Sequence, residues 1–336
     1  MKNDPSSLIS HKIRESKRIA ITSHLRPDGD SICTSLALAF MGDILGKEMS
    51  IINKDNTPFP LNRFPDVESI KIGQIYPQKF NIIILLECAD VSRSGQENLD
   101  NYFKINLDHH YSNYYYADIN WVDPEASAVG EMAYILGEKL RIKFTPKIAN
   151  HLYSAIVSDT GSFQFSNTTP RSFEVCHKLI ELGASPVKVS EMLFSNYPPE
   201  KIKLLGQVLS TLQMNKKGNI AIITMFKKYL DALNLKEIDT EDITTLARSI
   251  KGVEIVLFFK EVQNNIFKIS LRSKGRANAA FIAEHFGGGG HVHAAGFTAS
   301  GNYEKLLREV SEEVEKLMEE NTKKIRRQGK TKNLLT

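Results

Sequence analysis

The sequence predicts an α/β protein of two domains, with a mostly parallel-sheet N-terminal domain and a smaller α/β C-terminal domain. Three observations carry this expectation. Short apolar, β-branched runs alternate with helical stretches over roughly the first 195 residues, the pattern of a parallel sheet covered by helices. The pattern breaks at Asn196-Tyr197-Pro198-Pro199, a dipeptide-rich turn signal. A second, shorter set of strand-like and helix-like runs follows, and 336 residues suit about two domains.

Residues 19–23 (IAITS), 49–53 (MSIIN), 82–86 (IIILL) and 103–107 (FKINL) read as buried strands, because each is short, apolar and followed by polar or turn residues. Between them, Ser31 to Leu45 has helical apolar spacing and stops at Gly46; Ser127 to Leu140 and Pro146 to Val157 look alike. These elements make a domain over 1–197. Residues 198–216 carry a linker helix, at about 200–213, leading into a strand at 219–225. Strands are then expected at 253–260 and 266–272, a helix at about 276–286, a glycine run at 287–290 and a short strand near 295–299. A last helix, 302–320, has the one-sided stripe Tyr303, Leu306, Leu307, Val310, Val314, Leu317 and Met318 of a helix docked on a core. The C-terminal domain thus spans 217–320, and 321–336 reads as a basic, disordered tail.

Composition narrows the function classes. Hydrophobic residues at 42% and charged residues at 24% are those of an ordinary globular chain, so neither extensive disorder nor a membrane protein is expected. The net charge of +4 comes from Lys323, Lys324, Arg326, Arg327, Lys330 and Lys332; without these six the body stands at −2 and is no general polyanion binder. No apolar stretch reaches spanning length, and the first residues lack the apolar core of a signal peptide. Cys33, Cys88 and Cys176 are an odd number without a CxxC pair, which points to a reducing, cytoplasmic setting and no disulfide framework.

The chemistry collects at strand ends. Strand 19–23 runs into Ser23-His24-Leu25-Arg26-Pro27-Asp28-Gly29-Asp30-Ser31, strand 82–86 into Glu87 with Asp90 nearby, and strand 103–107 into Asp108-His109-His110. In open α/β sheets the carboxyl ends of strands are where ligands bind. Asp159-Thr160-Gly161 follows a helix and can close the ring. Taken singly, an Asp-Gly-Asp turn is an ordinary turn or cap and paired histidines are surface groups; three such segments at one sheet edge form a divalent-metal site. Mixed imidazole and carboxylate donors suit manganese, iron or cobalt better than magnesium, and there are enough for two ions, the usual machinery of phosphoester hydrolysis. In the C-terminal half, Gly287-Gly288-Gly289-Gly290-His291 lies near Arg272 and Ser273 at a strand end. Glycines admit a phosphate to backbone N–H groups and an arginine grips it bidentately, so an anion pocket is expected at Arg272, Ser273, Gly288, Gly289, Gly290 and His291. Arg93 is a further substrate-side candidate.

HLRPDGDS, the DHH at 108–110, SDTGSF at 158–163, SLRSKG and FGGGGHVHAAGF at 270–297 together resemble the DHH phosphoesterase family. The order of the motifs is similar to that of its nanoRNase and phosphoadenosine-phosphate phosphatase (NrnA-type) branch, from about residue 15 to 318. The resemblance implies a dimanganese centre in the first domain, with magnesium, cobalt or iron as substitutes, and nucleotide binding by the second across a cleft. It makes His24 and Asp28 ligands of one metal and Asp30, His109 and Asp159 ligands of the other. Glu87 falls where the family has a bridging Asp; Asp90 is the competing acid, disfavoured because it lies in the loop beyond the strand. Asp108 is expected to orient a ligand, and His110 to face substrate and help protonate the leaving oxygen. The implied activity is degradation of short RNA to mononucleotides, with phosphoadenosine phosphate as a second substrate. The same site would serve cyclic or linear signalling dinucleotides, or, if silent, a nucleotide sensor. A homodimer is implied, and no membrane partner. Long-strand exonucleases need a further oligonucleotide-binding domain, and family II pyrophosphatases lack the glycine-rich one.

Overall fold

Each of the four apolar runs of the N-terminal half forms a strand, and all run parallel. The computed structural model describes residues 4–332 except 77, 78, 196, 236–239 and 276, and the chain divides into two units, Met1–Asn196 and Tyr197–Thr336. In the first unit the strands are β1 (Arg18–Ser23), β2 (Glu48–Asn53), β3 (Lys71–Ile72), β4 (Ile82–Leu86), β5 (Phe103–Asp108) and β6 (Ile119–Val122), in the spatial order β3-β2-β1-β4-β5-β6. The helices are α1 (Pro5–Glu15), α2 (Gly29–Ile44), α3 (Val129–Lys139), α4 (Pro146–Asp159), α5 (Pro170–Glu181) and α6 (Pro186–Phe194).

Strand alternation sends Ile19, Ile21, Ile82, Ile84 and Leu86 into the larger core under α2, α3 and α4, and Ala20, Ile83 and Leu85 into a smaller one on the other face. Both faces are covered, which is why these strands read as unbroken apolar runs. The chain leaves β1 towards β2 and β3 on one side and returns at β4 to build the other side. The boundary between β1 and β4, paired with Ser23 opposite Leu86, is therefore a topological switch point, where a crevice opens beyond the carboxyl ends. Helix α2 starts there, and it lies hard against α4. A Cβ on Gly29 would stand 2.1 Å from Ser158 Oγ and 2.6 Å from Ser158 Cβ, so only glycine fits this crossing.

The second unit holds α7 (Pro199–Leu209), β7 (Gln213–Met214), β8 (Ile220–Met225), α8 (Lys227–Ala232), α9 (Glu241–Arg248), β9 (Ile255–Gln263), β10 (Ile266–Ser273), α10 (Ala279–His285), β11 (Gly289–His291), β12 (Ala294–Ser300) and α11 (Tyr303–Lys332). Its sheet, β11-β12-β10-β9-β8-β7, is antiparallel apart from the β8–β9 pair. The second half of the glycine run forms a strand: Gly289, Gly290 and His291 pair with Gly296, Ala295 and Ala294. One expectation is corrected here. The last helix does not stop at 320 but continues to Lys332, since the lysine- and arginine-rich continuation has no proline and a single glycine, Gly329. Residues 333–336 of the expected tail, and Asn196 near the end of the first expected domain, lie outside the described residues. No helix among the described residues is long and apolar enough to cross a membrane.

Candidate metal centre

The loop after β1 carries His24 and Asp28, and the first turn of α2 carries Asp30. Asp28 is the helix N-cap: its carboxylate accepts from Ser31 N, and Ser31 Oγ accepts from the Asp28 amide in return. This reciprocal cap fixes the loop. His24 Nε2 then stands 3.5 Å from Asp28 Oδ2 and 3.8 Å from Glu87 Oε2. From the other side His109 Nε2 stands 3.6 Å from Glu87 Oε1 and 3.8 Å from Asp159 Oδ2. Donor atoms therefore gather into two groups, His24 with Asp28 and Glu87, and Asp30 with Glu87 and His109. Glu87 belongs to both, one oxygen turned to each imidazole.

Position 87 obtains this placement through its backbone. β4 ends at Leu86, and Glu87 takes a φ of 55°, the left-handed region, while its N–H donates to Leu107 O on β5. A non-glycine residue in that region costs about 1–3 kcal/mol. The turn draws the longer glutamate side chain back into the crevice, where it is 2% exposed. Asp90, by contrast, is only half-buried, and its carboxylate accepts from Ser92 N at the start of the short 3₁₀ turn Val91–Ser94. It is a cap and faces no donor group.

Electrostatics explain what the cluster needs. Burial pushes the Glu87 carboxyl well above its usual range, and the charges of Asp28, Asp30 and Asp159 push it further. Asp159 is pushed up to about 7 by burial and by Asp30, and Asp30 is raised by burial although His109 works the other way. Burial disfavours charge on both imidazoles, yet Asp28 holds His24, and Asp30 with Asp159 hold His109, above the ordinary histidine value. Asp28 falls below the carboxylate range against its desolvation because His24 bonds to it. Glu87 Oε2 is buried without a hydrogen-bond partner among the described residues. Four carboxylates and two imidazoles crowded together, with an orphaned carboxylate oxygen at their centre, fit divalent cations.

Several residues that sequence reasoning passed over hold this cluster in place. Asp30 accepts from the N–H groups of Val129 and Gly130 at 2.5 and 2.9 Å and from Thr34 Oγ1 at 2.9 Å, so the N-terminus of α3 clamps it. Asn167 Nδ2 donates to Asp159 Oδ2 at 3.0 Å and to Ser127 O at 2.9 Å. His109 Nδ1 meets Ala126 O at 3.1 Å, leaving Nε2 for the cluster. No local sequence signal marks these partners; they come together only through long-range packing.

Asp108 departs from its expected role. It is fully buried and orients His110 rather than His109: His110 Nδ1 lies 2.6 Å from Asp108 Oδ1, and the backbone N–H groups of both histidines donate to the same oxygen. Asn113 Nδ2 reaches Asp108 Oδ2 at 2.5 Å. These bonds keep the Asp108 carboxyl below its usual range despite burial. The His110 side chain is 36% exposed, so its ring has one nitrogen held and one edge open. Arg93 is exposed in the 3₁₀ turn, and its charge reaches His24.

In the second unit Arg272 on β10 and His291 on β11 are both registered opposite Ala294 of β12. Residues directly opposite in antiparallel strands share a face, so the two flank one small residue. Ser273 does not join them. It is buried at 1% exposure, with Oγ within hydrogen-bond distance of Ala277 O, Val292 O and His293 Nδ1, and it ties β10 to the turn before β12. Gly288 and Gly290 are glycines for packing: a Cβ would stand 2.2 Å from Gly296 O at the first and 2.5 Å from Ala294 O at the second. Gly289, like Gly287, has open space above it.

The profile of the DHH family N-terminal domain matches residues 18–156, and that of the DHHA1 domain matches residues 206–320. A Thermus thermophilus protein named bifunctional oligoribonuclease and PAP phosphatase NrnA is 33% identical over 88% of this chain and 90% of its own. The Bacillus subtilis protein of the same name is 27% identical over 83% of this chain and 88% of its own. The crystal structure of an exopolyphosphatase-related protein from Bacteroides fragilis superposes with a TM-score of 0.84 at 24% identity, covering 95% of this chain and 97% of that one, and supports the fold. With both domain profiles matched in order and a relative of this identity covered almost end to end, the chain belongs to the DHH family of metal-dependent phosphoesterases, in its NrnA-type form with a DHHA1 domain.

Proposed function

We propose that the protein is a manganese-dependent phosphodiesterase that degrades very short RNA to mononucleotides and also dephosphorylates 3'-phosphoadenosine 5'-phosphate. The observation that carries the reading is Glu87, buried between His24 and His109 and shared by the two donor groups. The substrate class follows the names of the relatives. On this reading His24 and Asp28 would hold one cation and Asp30, His109 and Asp159 the other, with Glu87 common to both donor groups. The chemistry the cations supply when bound is neutralisation of the phosphoryl oxygens and acidification of the attacking water.

The remaining work belongs to the chain. Asp108 holds the His110 ring through Nδ1, which leaves Nε2 to deliver a proton to the leaving ribose oxygen. The Val129 and Gly130 amides, Asn167 and Ala126 O keep Asp30, Asp159 and His109 from turning away. Arg272 and His291 bind a terminal phosphate of the nucleotide, with the open backbone at Gly289 beside them. The proposed setting is the cytosol, where the three buried cysteines stay reduced.

The test is turnover by the purified protein, with manganese, of a dinucleotide, a pentanucleotide, phosphoadenosine phosphate and a cyclic dinucleotide. Fastest cleavage of the short linear RNA, with phosphate release from phosphoadenosine phosphate, is expected. Preference for the cyclic compound would replace the proposal with a signalling role. No turnover of any of the four would make the site a sensor.

A further inference from the structure

The loop that follows His110 exposes three tyrosines. Tyr111 is 83% exposed, Tyr114 76% and Tyr115 62%, although aromatic rings gain most by burial. Singly exposed apolar residues need no explanation, but three within five residues form a patch that does. Their neighbour Tyr116 shows that the loop can bury an aromatic ring, since it packs on the small core beside Cys88, Leu99 and Tyr102.

The loop that carries them is tightly built. Asn113 donates to Asp108 Oδ2 and Asn106 Oδ1, and its own Oδ1 accepts from Tyr115 N at 2.7 Å. Tyr114 N donates to Ala89 O, and Asn113 N to His110 O. Tyr111 Oη donates to Glu125 at 3.1 Å, and Tyr115 adopts a φ of 54°. One side chain, Asn113, thus anchors the tyrosines to the same carboxylate that orients His110. The backbone that carries the three rings is held in place beside the histidine, and the Tyr111 ring is tied further through Glu125.

Residues 111–117 (YSNYYYA) contain no lysine or arginine, so this surface is not made to hold a phosphate. It offers flat π faces, which stack on any nucleobase without regard to sequence. We propose that Tyr111, Tyr114 and Tyr115 form a base-stacking platform that seats a nucleobase of the substrate beside the scissile ester. The inference rests on the nuclease reading above and adds to it a specificity element in the first unit.

The experiment compares kcat/KM on 5'-phosphorylated diadenylate and on the same compound with both bases replaced by hydrogen. In the Tyr111→Ser, Tyr114→Ser, Tyr115→Ser variant the diadenylate is expected to lose roughly 5- to 150-fold, mainly through KM, the range for one lost base stack. The abasic compound should be cleaved as by wild type. The corresponding triple phenylalanine variant should keep the diadenylate activity, because it keeps the rings. Equal loss on both compounds, or no loss on either, overturns the platform. A change of oligomeric mass in the serine variant with unchanged kinetics would make the patch a subunit contact and overturn it equally. Wild type that cleaves neither compound refutes the nuclease reading itself, and the platform with it.

Discussion

Replacing Glu87 by glutamine keeps the shape of the side chain and removes the charge that both donor groups share. Changes among the residues that merely orient metal ligands already weaken affinity about 10- to 100-fold, and Glu87 supplies an oxygen to two groups at once, so the upper figure is the appropriate one. Manganese at 100 times its wild-type Kd stabilises the folded state by about 2.7 kcal/mol. A unit of the size of Met1–Asn196 shifts by about 2–4 °C per kcal/mol, which gives the wild type a gain in Tm of about 5–11 °C. With affinity 100-fold weaker, the same metal concentration yields only about 0.4 kcal/mol, or about 1–2 °C. Differential scanning fluorimetry with and without manganese measures both. Asp90→Asn is the control: as a cap outside both groups it should keep the full gain and full turnover. Without metal the Glu87→Gln protein should unfold no earlier than wild type, since a carboxylate facing three others has been neutralised. An undiminished manganese shift in Glu87→Gln would refute the bridging geometry.

The other expectations concern parts of the same frame. His109→Ala should abolish turnover with little loss of stability, whereas Asp30→Ala should abolish turnover and also lower Tm, because the buried Val129 and Gly130 amides lose their acceptor at about 1–3 kcal/mol for each unpaired group; equal melting temperatures would contradict the clamp. Ser273→Ala should destabilise the second unit through its lost bonds to Ala277 and Val292. His291→Ala should leave stability alone and weaken natural substrates by about 1.5–3 kcal/mol while sparing a small phosphodiester, and the opposite assignment would show in thermal melts beside kcat/KM. Burial holds the His151 pKa below the ordinary histidine value, although the Asp66 carboxylate beside it acts the other way. Its folded form therefore binds fewer protons than the unfolded chain, and the unfolding free energy of wild type relative to His151→Asn should rise as pH increases from about 5 to 7; a flat or falling difference in urea titrations would disprove it.

Long buried strands were legible because their signal is local. Ile82–Leu86 can hardly be anything but a strand under helices, and its carboxyl end predicts where Glu87 must lie. The edge strands Lys71–Ile72 and Gln213–Met214 have two residues each, too few for a period, and Ile119–Val122 is half-buried throughout. The glycine run misled because glycine has two uses with one spelling. Phosphate access and close strand contact both demand a missing Cβ, and only the neighbours Gly296 and Ala294 reveal the second use. Ser273 misled for a similar reason, since a serine at a strand end looks the same whether its hydroxyl faces solvent or the turn behind it. The ligand candidates were readable by residue type, but their supports were not: Asn167 and the Val129–Gly130 amides act across about 100 residues of chain in the case of Asp30, and an asparagine or an amide carries no sign of its partner.

The contact between Gly29 and Ser158 lies one residue before Asp30 and one before Asp159. Two acids of the centre are thereby spaced by main chain meeting side-chain root, with nothing compressible between. Carbon atoms pack at about 3.5–4.0 Å, so even alanine at 29, with its Cβ 2.6 Å from that of Ser158, would drive the helices apart by about 1 Å. Ligand distances of manganese-like and larger ions differ by only a few tenths of an ångström. The width of this jaw is therefore not gradable at the crossing; it is glycine or a different jaw altogether. Any drift in metal preference has to be made at the opposite wall, in the reach of residue 87.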